Sequence, residues 1–330
     1  MFTPKLKYMK IIKVIFVILA ISFLAKETQA QFSMPNYKDV LEMKNRQPIV
    51  IVNPPNPDII NKFSRKGNDS VMQEYQQIIG NYNENMKSAV KKFWTFNSKE
   101  VLFKTRTELS DILQDKSQRN KYIIIYCYSF DTRPKRDMDW TINKSGERIT
   151  GTRTYFAIGF PDEMPIYQQA LKDLIPSPTI LAYYVSVTNY NFNYILNHKD
   201  NYKMKDMIEK NAHILSQKTL LILSSSVSPK VMKDINTYYP CNFKLVNEDE
   251  MEKAVTSGDP SYAYVIKTGI GVQTMVGGQN DMNFIVNCED GATLGYTSYG
   301  TIPVPFSTDQ GLRKDFFQDI AYFCNAGKKK

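Results

Sequence analysis

Two carboxylates two residues apart, Asp137 and Asp139, come closest to a chemical device in this sequence. On an extended segment they share one face, and paired carboxylates can divide acid and base work between them. The function they would support is a hydrolase acting on an envelope polymer. Arg133, Lys135 and Arg136 stand just upstream, where they either form an anion-binding loop or neutralise the aspartates. The remaining reactive residues do not assemble. The two histidines, His198 and His213, have no cysteine or carboxylate at ligand spacing, so neither a metal nor a cofactor is expected. Ser224, Ser225 and Ser226 lack the glycine-flanked elbow of a serine nucleophile. Gly269, Gly271, Gly277 and Gly278 do not bridge a strand to a helix in phosphate-loop spacing and read as a loop.

Recognition chemistry has better material than catalysis. Tyr190, Phe192 and Tyr194 alternate with asparagines in Thr188–Tyr194. Flat aromatic surfaces beside adaptable amides are what binding surfaces use, although the same residues could pack between two domains. With the basic trio Arg133, Lys135 and Arg136 they are the candidate binding residues.

The elements that must position these residues are written twice. Asp137–Ile149 and Asp281–Leu294 each read as strand, glycine turn and strand, with Asp281 and Asn283 as counterparts of the two aspartates. Val101 matches Phe243, Tyr122 matches Tyr262 and Gly146 matches Gly291, an offset of about 140 residues throughout, and such self-similarity marks a duplication. Thr105 with Glu108 and Asn247 with Glu250 form a capping box at the same place in each copy, which gives both glutamates a structural task. Ile49–Val52 and Leu220–Leu223 are apolar at every residue, as strands covered on both faces are. A helix over Met164–Ile175 would close the first copy, and one over Leu312–Cys324 the second.

The expected fold is therefore α/β, two tandem related βαβαββα domains, each a mixed sheet with covering helices. Residues 31–178 form the first domain, 179–217 a connector and 218–330 the second domain. The first copy alone carries an insert, about 62–85, which reads as an amphipathic helix broken by Gly80 that either packs on its own domain or offers a second partner-binding surface.

Location can also be read. Lys10 and Lys13 precede a largely apolar run, Val14–Ala25, and Thr28-Gln29-Ala30 follows as a small-residue cleavage site. This is the layout of a signal peptide over residues 1–30, and the run falls short of the roughly 17–25 residues of a retained transmembrane helix. Export to the periplasm or the outside permits disulfides among four cysteines, and one bridge is expected inside the second copy, Cys241 with Cys324, leaving Cys127 a small buried apolar residue. A net charge of +9, five of whose lysines fall in the leader, suits solubility, and no nucleic-acid-binding module is present.

One copy, with its buried strand, helix, strand, capped Leu109–Leu113 helix, strand and glycine-turned hairpin (Thr141–Ile149, Ile285–Leu294), resembles the periplasmic α/β domain of curli-assembly-component and TolB amino-terminal proteins. The resemblance implies a non-enzymatic role in envelope assembly or transport, often in oligomers. It lacks two companions of that role, a lipidation cysteine and long pore-lining hairpins. The leading expectation is an exported, non-catalytic protein that binds a protein or other envelope component, with the hydrolase as the alternative.

Overall fold

The computed structural model describes residues 34–131, 152–171, 175–199, 202–273, 279–301 and 311–326. Every element named below belongs to one compact unit, Asn36–Lys330.

The fold is α/β with two mixed five-stranded sheets. β1 (Gln47–Ile51), β2 (Leu102–Lys104), β3 (Tyr122–Asp131), β4 (Thr152–Gly159) and β5 (Tyr167–Leu171) lie in the order β2-β1-β3-β4-β5. β6 (Thr219–Leu223), β7 (Phe243–Val246), β8 (Tyr262–Gln273), β9 (Gln279–Asn287) and β10 (Thr293–Thr301) lie in the order β7-β6-β8-β9-β10. In each sheet the second strand from one edge, β1 or β6, is parallel to both neighbours, and the two remaining pairings are antiparallel. The apolar runs on β1 and β6 fill these interior positions, as strands with no solvent face must.

Local chemistry sets the crossovers. α4 (Arg106–Gln114) follows β2, and its start is a complete capping box: the Glu108 amide donates to Thr105 Oγ1 at 3.2 Å and the Thr105 amide to Glu108 Oε2 at 2.7 Å. α9 (Glu248–Ser257) follows β7 with the same box between Asn247 and Glu250, at 2.8 and 3.3 Å. Each box satisfies amides that the first helical turn leaves without partners.

Two expectations are corrected. Met164–Ile175 does not form a helix; its centre is the strand β5, paired antiparallel with β4. Tyr167 and Leu171 are four apart, a spacing that shares a face in helix and strand alike, and pairing with β4 decides for the strand. Gly80 breaks nothing, because α3 (Asp69–Phe93) runs through it for 25 residues. One interior glycine costs a helix only about 1 kcal/mol, which burial of Tyr82, Met86, Val90 and Phe93 on the same helix outweighs. Between β6 and β7 the chain forms two short helices, α7 (Pro229–Met232) and α8 (Ile235–Tyr238).

The helix that covers the first sheet begins later than expected. α5 (Pro178–His198) starts at Ser177, whose hydroxyl accepts from the Ile180 amide, with Pro178 in the first turn. It occupies the opening of the segment read as a connector, which continues through α6 (Met204–Asn211) and a 3-10 turn over Ala212–Gln217. α5 packs against α3 and α1 (Tyr37–Lys44) on the first sheet's side and against α9 on the second's, while β5 lies against β8. Tyr184 stacks on Phe156 with ring centroids 5.6 Å apart and donates to the Ala170 carbonyl at 2.8 Å. On its other side the Ser186 backbone meets the β9–β10 turn at Gly291, so closely that a Cβ there would lie 2.3 Å from the Ser186 carbonyl carbon.

The second sheet has its own core of Leu220, Ile222, Ile235, Ile285, Phe316 and Ile320, closed by α10 (Lys314–Ala326). The expected bridge is present: Cys241 is bonded to Cys324, with Cα atoms 6.6 Å apart across 83 residues. Cys127 and Cys288 are free and buried. The hairpin expected over Asp281–Leu294 is β9, its turn and the start of β10. The matching hairpin over Asp137–Ile149 lies outside the described residues; the antiparallel partner of β3 is β4, which starts at Thr152.

Candidate functional site

The period of α5 separates the three aromatic candidates. Residues four apart form one stripe, whereas residues two apart face opposite ways. Tyr190, Tyr194 and His198 therefore line up, and Phe192 turns inward. Tyr194 and His198 stack at 3.8 Å with ring planes 10° apart, and Tyr190 follows at 6.5 Å and 23°. The Tyr202 ring meets Tyr194 edge-on at 5.6 Å, and Lys210 Nζ of α6 lies 5.7 Å from the Tyr194 ring. The Tyr190 hydroxyl donates to Asn211 Oδ1 at 2.9 Å, which fixes the inner end of the row to α6. All three rings of the row are half-buried, so they keep a solvent edge. Burial pushes the Tyr190 and Tyr194 phenols up, and they remain neutral hydroxyls at physiological pH. Phe192 is fully buried, edge-on to Trp94, Phe96 and Tyr167 at 6.2, 5.3 and 5.8 Å. It belongs to the core and offers a partner no surface.

The other candidates separate likewise. Arg133, Lys135, Arg136, Asp137 and Asp139 lie outside the described residues. His198 Nδ1 lies 2.9 Å from the Tyr194 carbonyl, and His213 Nδ1 lies 2.7 Å from the Lys210 carbonyl, both within their own helical turns. Among the described residues no three His, Cys, Asp or Glu side chains form a group that could hold a metal. Ser224 and Ser226 donate their hydroxyls to the Val246 and Leu223 carbonyls. Burial pushes the Cys127 and Cys288 thiols up to about 12, which removes the thiolate a nucleophile needs. Gly269 and Gly271 sit inside β8 rather than in a loop.

Two further surfaces stand out. α2 (Pro57–Arg65) and the first half of α3 form a helical hairpin around Gly67, whose φ of 66° is the left-handed turn. Tyr75 joins its arms, accepting from the Asn56 amide at 3.0 Å and meeting Phe63 edge-on at 6.5 Å. No residue of α2 is buried, and Asp58, Asn61, Lys62, Arg65 and Lys66 line a shallow depression along its polar side. This hairpin occupies most of the expected insert. The second surface went unnoticed in the sequence: a row of half-buried tyrosines on the first sheet, where Tyr128 stacks on Tyr155 at 5.4 Å and Tyr126 adjoins Tyr128 at 5.5 Å. The guanidinium of Arg106 lies 5.9 Å from the Tyr126 ring. The available signal was Tyr126 and Tyr128 two apart in one strand, which places both on one face.

Comparison with protein-family models, with curated proteins and with solved structures found no match to this chain.

Proposed function

We propose that the chain is an exported, non-catalytic protein of two related tandem α/β domains that binds a protein or other component of the cell envelope. The observation that carries the binding role is the Tyr190–Tyr194–His198 row, a half-buried aromatic stripe on a helix most of whose residues are buried. The basic side of α2 extends the same role to a separate part of the first half. Shared strand order and shared capping boxes support descent of the two halves from one unit. The Cys241–Cys324 bridge supports an oxidising compartment, in agreement with the leader-like start of the sequence.

Capture of partners from an envelope extract tests this. Tyr190→Ala combined with Tyr194→Ala, and separately Lys62→Glu combined with Arg65→Glu, should each lower recovery of the captured component by about tenfold, the cost of losing one or two interface anchors. Capture unchanged in both variants removes the binding reading. Sequencing of the processed amino terminus should place the first residue near Gln31.

A further inference from the structure

The matched sheets allow a side chain in one to be compared with its counterpart in the other. Tyr122 opens β3 as Tyr262 opens β8, so Ile124, Tyr126 and Tyr128 occupy the positions of Tyr264, Ile266 and Thr268. Across the antiparallel ladder Tyr128 pairs with Tyr155, and Thr268 pairs with Met282. In the second sheet all four of these residues are buried. The first half lies over them: β5 packs against β8, α5 packs against α9, and Tyr183 and Ser186 of α5 lie beside Tyr264. In the first sheet Ile124 is buried like its counterpart, but Tyr126, Tyr128 and Tyr155 are half-exposed and Arg106 beside them is exposed.

The covering elements of the second sheet are the last strand and last helix of the half before it. Their counterparts at the end of the second half, β10 and α10, turn aromatic surface outward, with Tyr296 37% and Tyr322 67% exposed. Each closing helix faces its own sheet at four-residue steps, through Tyr184, Thr188 and Phe192 in α5 and through Phe316, Ile320 and Cys324 in α10. Setting these in register places Asp315 and Tyr322 where α5 carries Tyr183 and Tyr190. Those α5 residues meet the second half: Tyr183 lies beside Tyr264, and Tyr190 packs against the second sheet's core.

We propose that the chain associates head to tail with a second copy of itself. The outer side of α10 of one copy, through Asp315 and Tyr322, docks on the Arg106, Tyr126, Tyr128 and Tyr155 face of the next, repeating between copies the contact that joins the halves within one. Continuity with that internal interface makes the occupant a second copy. Asp315 on one face and Arg106 on the other carry opposite charge, and tyrosine-rich surface is favoured at interfaces. The contact joins unlike faces, so it is heterologous and leaves one of each face free in any open assembly.

Analytical ultracentrifugation of the full chain over micromolar concentrations tests the idea. The average mass should rise with concentration, and Tyr126→Glu and Tyr322→Glu should each weaken association by about tenfold or more. A mixture of the two variants should form a one-to-one pair and nothing larger, because each supplies the face the other lacks. Circular dichroism checks that each variant folds. If Tyr126→Glu does not, Arg106→Glu on the exposed first turn of α4 tests the same face. A wild-type chain that stays monomeric, association untouched by both substitutions, or a mixture that fails to pair would each overturn the proposal. Loss of partner capture through Tyr190 and Tyr194 bears on the binding role and leaves this contact untouched.

Discussion

Gly291 and Gly80 differ in what an added methyl group would meet. Gly291 sits at φ 80° with the Ser186 backbone against it, so a side chain would need both a strained backbone and a displaced helix. Gly80 is helical with nothing nearby. Gly291→Ala should destabilise the protein by roughly 3 kcal/mol or more, and Gly80→Ala should stabilise it by roughly 0.5–1 kcal/mol. Urea unfolding of both variants measures the difference in sign. At this scale the sequence was readable where a residue's role is local. The Cys241–Cys324 pair and the buried Cys127 could be named from composition and position. Phe192 could not be told from Tyr190 and Tyr194, because its burial depends on a helix period that alternating Tyr-Asn-Phe-Asn-Tyr does not announce.

Helix starts are the elements whose chemistry is most fully accounted for. Glu108 is held low first by the Thr105 amide, and Glu250 first by Lys244 and then by the Asn247 amide. A carboxyl lowered in the folded state adds stability that is complete above its ordinary value and is lost as pH falls through the lower folded value. Amide exchange in the first turns of α4 and α9 should therefore speed up as pH is taken down through the carboxylate range, relative to mid-helix amides. Thr105→Ala and Asn247→Ala should each cost about 1 kcal/mol at neutral pH, read from unfolding curves. Equal exchange behaviour at acid and neutral pH, after correction for intrinsic rates, would contradict this role. The boxes were legible because three-residue spacing is fixed by the backbone. The strand β5 was not, because its apolar spacing suits either conformation and only pairing with β4 decides between them. The tyrosine face was missed for a related reason: a strand apolar on both sides gives no sign of which side another element covers.

Over the whole molecule, α5 has the largest part. One side of it completes the first sheet's core and the other seats the second half, so the first half does not keep its closing helix buried without the second. Two sheets would suggest two transitions; this shared helix argues for one. Urea unfolding followed by tryptophan fluorescence, to which Trp94 beside Phe192 contributes, should coincide with unfolding followed by far-ultraviolet circular dichroism. Separated midpoints would show that the halves open independently. The two-sheet α/β outline was readable from strand runs and capping boxes. The depth of the middle helix was not, since tyrosine and asparagine are counted as surface residues until a second sheet is brought against them.

The covalent ring closed by Cys241 and Cys324 contains β7, β8, β9 and β10 but not β6, which enters from upstream and lies between two strands that the ring encloses. Oxidation before β6 has taken its seat would leave β7 and β8 facing each other across a gap one strand wide. The helix that fastens the ring, α10, follows all of these strands in the chain. Native oxidation must then come late, after the upstream strand has already been laid between its neighbours.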